Sequence, residues 1–235
     1  IDSLAGSVLA DVTLRGPPRK PRIKGAIKLS EASVLLAERD TPVVIPAGTV
    51  TLSDRGKGFD LLSLTLKKLR IRIGGETLYA DGDLNLKKGK PDRFKVRLFG
   101  AVSGKALEVA APKTISRATG RTKIDVRVSG TPKTQSIWGT AELQRTELNL
   151  RGIRRELVIQ SGRLNFDGTR LTVREFRARV DDGYVQAQGH AVFDGRRISE
   201  VDFKISGQNI PYRNPRVFDV EASAQLRLTG DREGI

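Results

Sequence analysis

Cysteine and methionine are both missing from these 235 residues, and histidine occurs once, at His190. Without cysteine there is no disulfide framework and no thiolate metal site. With His190 the only histidine, no multi-histidine metal site is expected within one chain. The expectation is a protein that is not an enzyme, with no cofactor and no metal. Aromatic residues make up 5% of the chain and hydrophobic residues 38%, too little for a thick globular core. No apolar run approaches the ~18 residues of a membrane helix, and no signal peptide is visible. The chain starts at Ile1 instead of a methionine, so it reads as a piece of a longer protein whose anchoring or targeting segments lie elsewhere. The lack of cysteine is compatible with an oxidising envelope compartment.

What is present is positive charge and alternation. Lys and Arg number 42 against 27 for Asp and Glu, a formal net charge of +15 that favours anionic partners such as lipid head groups, nucleic acid or acidic protein. Val8, Ala10, Val12 and Leu14 alternate with Leu9, Asp11, Thr13 and Arg15, and the same period of two runs through residues 69–73, 83–86 and 94–98. This is the signature of half-buried antiparallel strands with one dry and one wet face. The 24 glycines and 10 prolines supply frequent turns, among them Gly74-Gly75, Asp167-Gly168, Asp182-Gly183 and Asp194-Gly195. No helical period is sustained; residues 105–111 can form at most a turn or two before Pro112.

The strongest signal is an internal repeat. Gly16, Gly25 and Gly48 recur as Gly130, Gly139 and Gly162, each 114 positions on, with Leu29 matching Leu143 and Ile45 matching Ile159. Gly82 and Gly100 recur as Gly189 and Gly207 at a spacing of 107. The slip falls between Leu52/Phe166 and Leu64/Leu171, where the stretch Ser53–Ser63 stands in place of Asp167–Arg170, as a hairpin tip tolerates. The division expected is a first β module over 1–101, a connector over 102–121, a second module over 122–207, and a linker with the first strand of a third module over 208–235, with roughly eight short strands per module.

Strands with a dry face and no amphipathic helices to cover it leave three solutions: a sandwich, a closed barrel, or a long antiparallel sheet curled into a trough. Few aromatics argue against a sandwich core about 10 Å thick. Neither ~10-residue tilted strands nor aromatic girdles argue for an outer-membrane barrel. Tandem modules favour an all-β, elongated antiparallel trough with a hydrophobic groove. The candidate groove-lining residues are Leu64, Leu66, Leu69, Ile71, Leu84, Leu86, Phe94, Val96 and Leu98, with the counterparts Leu171, Val173, Phe176, Ala178, Ala191, Phe193, Val201, Phe203 and Ile205. The plainer alternative is an ordinary sandwich core without a ligand.

The frame Gly16-Pro17-Pro18…Gly25-Ala26-Ile27-Lys28-Leu29 and Gly130-Thr131-Pro132…Gly139-Thr140-Ala141-Glu142-Leu143, extended by Ile159…Gly162-Arg163-Leu164-Asn165-Phe166 and Gly189-His190-Ala191-Val192-Phe193, resembles one family. It is similar to the carboxy-terminal region of the translocation and assembly module subunit TamB, in the AsmA-like, bridge-like lipid transfer group. The resemblance covers roughly Val8 to Gly230. It implies a β-taco-like sheet in a periplasm-spanning protein of a Gram-negative bacterium, anchored in the inner membrane. It also implies phospholipid as ligand, lipid movement between the membranes, support of outer-membrane protein assembly, and an outer-membrane barrel partner of the BamA/TamA type. The family carries no catalytic residues. The strongly basic composition departs from its pattern.

Lys67, Lys68, Arg70 and Arg72 and then Arg174, Arg177 and Arg179 fall on matching strands. They read either as the solvated side of a sheet, where they also discourage edge pairing, or as an attraction for anionic head groups. Nucleic acid is not expected as a partner, because no stacking aromatics are interleaved with the charge. His190 is expected to face solvent, and Asp181-Asp182-Gly183 to be a turn, since the ligand spacing of a calcium loop is absent. A second function class stays open: a scaffold or chaperone that pairs client strands along a sheet edge.

Overall fold

The computed structural model describes residues 3–17, 21–35, 41–54, 60–110, 113–152, 155–195, 197–214 and 218–231. They form the strands β1 (Ser3–Arg15), β2 (Arg22–Leu35), β3 (Val43–Ser53), β4 (Leu61–Ile73), β5 (Glu76–Lys87) and β6 (Lys90–Ser103). A short helix, α1 (Gly104–Ala110), is followed by β7 (Ile115–Ala118), β8 (Arg121–Gly130), β9 (Gln135–Leu150) and β10 (Glu156–Gly168). The chain continues with β11 (Arg170–Val180), β12 (Gly183–Asp194), β13 (Arg197–Asn214) and β14 (Phe218–Gly230). Among the described residues no helix is long and apolar enough to cross a membrane.

Hydrogen-bonded order follows chain order, β1 through β6, then β8 through β14, with β7 pairing on β9 and with β1 and β14 as unpaired edges. The fold is therefore all-β, a single antiparallel sheet not closed into a barrel. Two compact units are distinguishable: Ile1–Ala101 with Asp125–Ile137, and Val102–Ile124 with Trp138–Ile235.

The repeat is structural. The strands β2 and β3 match β9 and β10 at the 114-residue spacing, and β5 matches β12 end to end at 107. Even non-glycine residues with left-handed backbone recur: Glu31 with Arg145, and Lys68 with Glu175. The Ser53–Ser63 insertion lies in the β3–β4 hairpin, whose residues 55–59 are outside the described residues. Each repeat has six strands of mostly 10–18 residues, not the eight short ones that its glycines suggest. The reason is that many of those glycines sit inside strands. Gly82 in β5 and Gly189 in β12 have φ of 143° and 155°, and a Cβ on either would lie 2.0 or 2.1 Å from a carbonyl oxygen of the next strand. They mark close backbone approach, not chain reversal.

In the first unit Ile23, Val50, Leu69, Leu78 and Ala80 are all buried. A flat single-layer sheet would leave them open to water, so the strands must curl over their apolar side. The bends have visible causes. The β4–β5 register shifts between Leu66 and Leu69, and the β11–β12 register between Val173 and Phe176. An extra residue at such a bulge bends the strand and increases its twist. In the second unit the core is Leu143, Ile159 and Ala178, with Leu107, Leu148, Leu157, Leu164 and Phe176 packed on it.

Candidate functional site

Directly opposed residues in antiparallel strands share a face, so register identifies the apolar side. In the first unit Leu64 opposes Leu84, which opposes Phe94; Leu66 opposes Gly82, which opposes Val96; Leu69 opposes Ala80, which opposes Leu98. Ile71 opposes Leu78, and Leu86 opposes Leu62 and Pro91. All nine first-unit candidates thus lie on one side of the sheet. Simple alternation would put Leu66 and Leu69 on opposite sides; the bulge at Lys67-Lys68 absorbs the extra residue and keeps them together.

The second unit repeats the pattern. Leu171 opposes Ala191, which opposes Val201; Val173 opposes Gly189, which opposes Phe203; Phe176 opposes Ala187, which opposes Ile205. Ala178 opposes Val185, and Phe193 opposes Ile198. The rows continue onto β14, where Ile205 meets Leu226 and Phe203 meets Leu228. Sequence reasoning missed Ala187, Leu226 and Leu228. Carrying strand parity through the hairpins, from Phe176 to Ala187 and from Ile205 to Leu226, would have found them.

Two glycines shape this side. At Gly48 an added Cβ would stand 2.0 Å from Leu69 Cδ1, and at the repeat-related Gly162 it would stand 3.2 Å from Phe176 and from Leu143. The missing side chains are the seats into which Leu69 and Phe176 lean from the neighbouring strand. Beside the second seat, an open cleft of about 650 Å³ spans β11 to β14, and its lining mixes the row Phe176, Ala187, Ile205 and Leu226 with polar residues of the opposite parity, among them Arg177, Gln186, Lys204 and Arg227. Its size falls in the ordinary range of ligand pockets.

The opposite side is polar and carries several ion pairs and hydrogen bonds. Lys67, Lys68, Arg70, Arg72, Arg174, Arg177 and Arg179 are all exposed. The Thr65 hydroxyl donates to Asp83 at 2.6 Å, and the Lys68 backbone N–H donates to the Asp81 carboxylate. Tyr79 stacks on Phe99 with ring centroids 5.5 Å apart, and the Arg97 guanidinium lies 4.9 Å from the Phe99 centroid. Arg97 hydrogen-bonds Asp125, which holds that carboxyl below its ordinary pKa and raises that of Arg97. Arg227 does the same for Asp202. His190, expected to face solvent, is instead half-buried on this side, with Nε2 2.9 Å from Glu200 Oε1. A facing glutamate on β13 supplies the partner that a one-strand reading could not foresee. Asp181 and Asp182 form the β11–β12 turn, as expected. Among the described residues no group of three His, Cys, Asp or Glu converges as a metal site would.

The family model described as the TamB C-terminal domain matches residues 2–173. No curated protein and no solved structure matches the chain. That match takes in the whole first repeat and the second as far as the start of β11, Gly162 in β10 included. The chain belongs to the TamB C-terminal domain family.

Proposed function

We propose that this chain is a non-enzymatic segment of a periplasmic envelope protein, anchored in the inner membrane through other parts of its parent. Its apolar side holds phospholipid acyl chains on their way between inner and outer membranes. Membership of the TamB C-terminal domain family supports the envelope setting. One observation carries the ligand: rows of Leu, Val, Ile, Phe and Ala, with Gly82 and Gly189 among them, run along one side of β3 to β6 and of β10 to β14. An apolar side of this extent, half-buried at most of its candidate positions and open at Leu226 and Leu228, suits an apolar partner. Each buried methylene is worth ~0.8 kcal/mol, enough to retain an acyl chain that still slides. Head groups would stay in water. Support of outer-membrane protein assembly, with a barrel partner of the BamA/TamA type, belongs to the same reading through the parent chain.

The test is direct. Purified chain is extracted with organic solvent and separately offered a fluorescent phospholipid. Co-purified phospholipid and saturable uptake are expected, and Leu66→Glu with Leu171→Glu should abolish uptake while strand content by circular dichroism persists. A lipid-free preparation that also takes up no probe would sink the reading.

A second reading has its own observation. The strand β1, at one end of the sheet among the described residues, exposes Val8 (62%) and Leu9 (65%), the kind of surface that client-strand augmentation uses. Photo-crosslinkers at Leu9 that capture unfolded outer-membrane proteins, in a Leu66→Glu background as readily as in the unaltered chain, would favour it.

A further inference from the structure

The helix α1 occupies the joint between β6 and β7, an eleven-residue stretch over 104–114, whereas β13 and β14 are joined by only residues 215–217. It is not a spacer lying off the sheet. Leu107 packs against the cluster of Leu143, Ile159 and Ala178, on the side of the second unit that also carries Phe176. Ile159 and Ala178 are 0% and 1% exposed there, while Leu226 and Leu228, in the same set of rows at the β14 edge, are 63% and 55% exposed. One end of the apolar side is therefore covered by the chain itself and the other is open.

The attachment is slight. The Gly104 backbone N–H donates to the Gly120 carbonyl at 3.0 Å, and the Ala118 backbone N–H donates to Glu108 Oε1 at 2.7 Å. Lys105 pairs with Glu108 one turn away at 3.2 Å. A helix of two turns has little stability of its own and stays folded only while it is packed. Among the described residues, the helix side chain packed on the cluster is Leu107, chemically equivalent to a short stretch of hydrocarbon.

We propose that α1 is a built-in competitor for acyl chains: Leu107 fills the place on Leu143, Ile159 and Ala178 that a lipid chain takes, so that lipid passing this point displaces the helix. This inference rests on the lipid-holding reading above. It makes α1 a gate in the second unit, whose closed state is the one described, and whose opening is coupled to lipid by mutual exclusion.

Since the chain has no cysteine, the gate can be locked without background. Leu107→Cys with Leu143→Cys, bridged by a short reducible bis-thiol reagent, holds the helix down; the same double variant left unbridged is the reference. The probe is vesicles of phosphatidylethanolamine and phosphatidylglycerol containing a fluorescent phospholipid. Uptake by the bridged form should fall about tenfold, within the usual range for coupled equilibria, and return on reduction. Glu108→Ala, which removes the acceptor for Ala118, should raise uptake with strand content unchanged. Amide exchange across 104–110 should accelerate when vesicles are added to the unaltered chain. Equal uptake by bridged and unbridged forms, or exchange indifferent to vesicles that do deliver lipid, overturns the gate and leaves the lipid-holding reading intact. Failure of every form, the unaltered chain included, to take up lipid overturns both.

Discussion

Arg97 on β6 and Asp125 on β8 meet as a two-pronged ion pair, Nε to Oδ1 at 2.8 Å and Nη2 to Oδ2 at 2.6 Å. They join the last strand of the first repeat to the strand that opens the second, across the α1 and β7 segment that separates them in sequence. The β13–β14 seam carries the same fork with the charges exchanged: Asp202 on β13 and Arg227 on β14, at 3.1 and 3.0 Å.

The first prediction concerns acid. Asp125 and Asp202 have folded-state pKa values held below their ordinary ones by hydrogen bonds from Arg97 and Arg227. A carboxylate depressed on folding contributes stability that is present above its unfolded value, about 3.9, and is lost as pH falls through the folded value. Denaturant midpoints should therefore decline below about pH 4. Arg97→Gln together with Arg227→Gln should flatten that decline by lowering the midpoint slightly at neutral pH, where the exposed pairs make their small contribution, while leaving it unchanged in acid. Parallel pH profiles for the two proteins would refute the assignment.

The close-approach glycines give a second. Gly82→Ala places a Cβ 2.0 Å from the Lys95 carbonyl oxygen at a φ of 143°. Strain of this kind costs about 1–3 kcal/mol, and the β5–β6 backbones must also part. Gly189→Ala should behave alike, and Gly75→Ala, at a turn with nothing within 4 Å, should cost less. Urea unfolding ranks the three; equal midpoints would contradict the geometry.

Core and rim should separate clearly. Ile159 is 0% exposed, and Ile159→Ala is expected to cost about 2–5 kcal/mol. Leu226 is 63% exposed, and Leu226→Ala should stay within about 0.5 kcal/mol yet lower phospholipid uptake. A calorimetric scan and the uptake assay check the two halves of this prediction independently.

Unpaired edges set a fourth expectation. Leu9 and Leu226 stand exposed on β1 and β14. Light scattering should register concentration-dependent association, and Leu9→Lys with Leu226→Lys should suppress it, since lysine is a common guard on edge strands. Unchanged scattering would mean the edges are not the sticky elements.

Much of this was legible beforehand, for reasons that particular residues make plain. Period-two alternation and recurring glycines identify an all-β repeat, and Leu64, Leu84 and Phe94 share a face simply because hairpin registers keep parity. Strand length was not legible, because Gly82 and Gly189 carry the composition of turns while serving the interior of strands. Nor was α1 over Ile159: seven residues give too few periods to reveal a buried face, and Leu107 finds its partners only through tertiary contact. His190 and Glu200 are likewise ten residues apart and meet only when β12 and β13 pair.

The exchanged polarity of the two forks bears on how such a chain avoids mistakes while folding. Successive repeats resemble one another closely enough that β14, the counterpart of β8, is a plausible wrong neighbour for β6, a slip that would loop out an entire repeat. Arg127 and Gly130 match Arg227 and Gly230, which puts Gln225 where Asp125 belongs. In the slipped pairing Arg97 would find the Gln225 amide in place of the Asp125 carboxylate, with an arginine two residues further on in either case. Charge at the seam thus distinguishes strands that hold the same place in successive repeats.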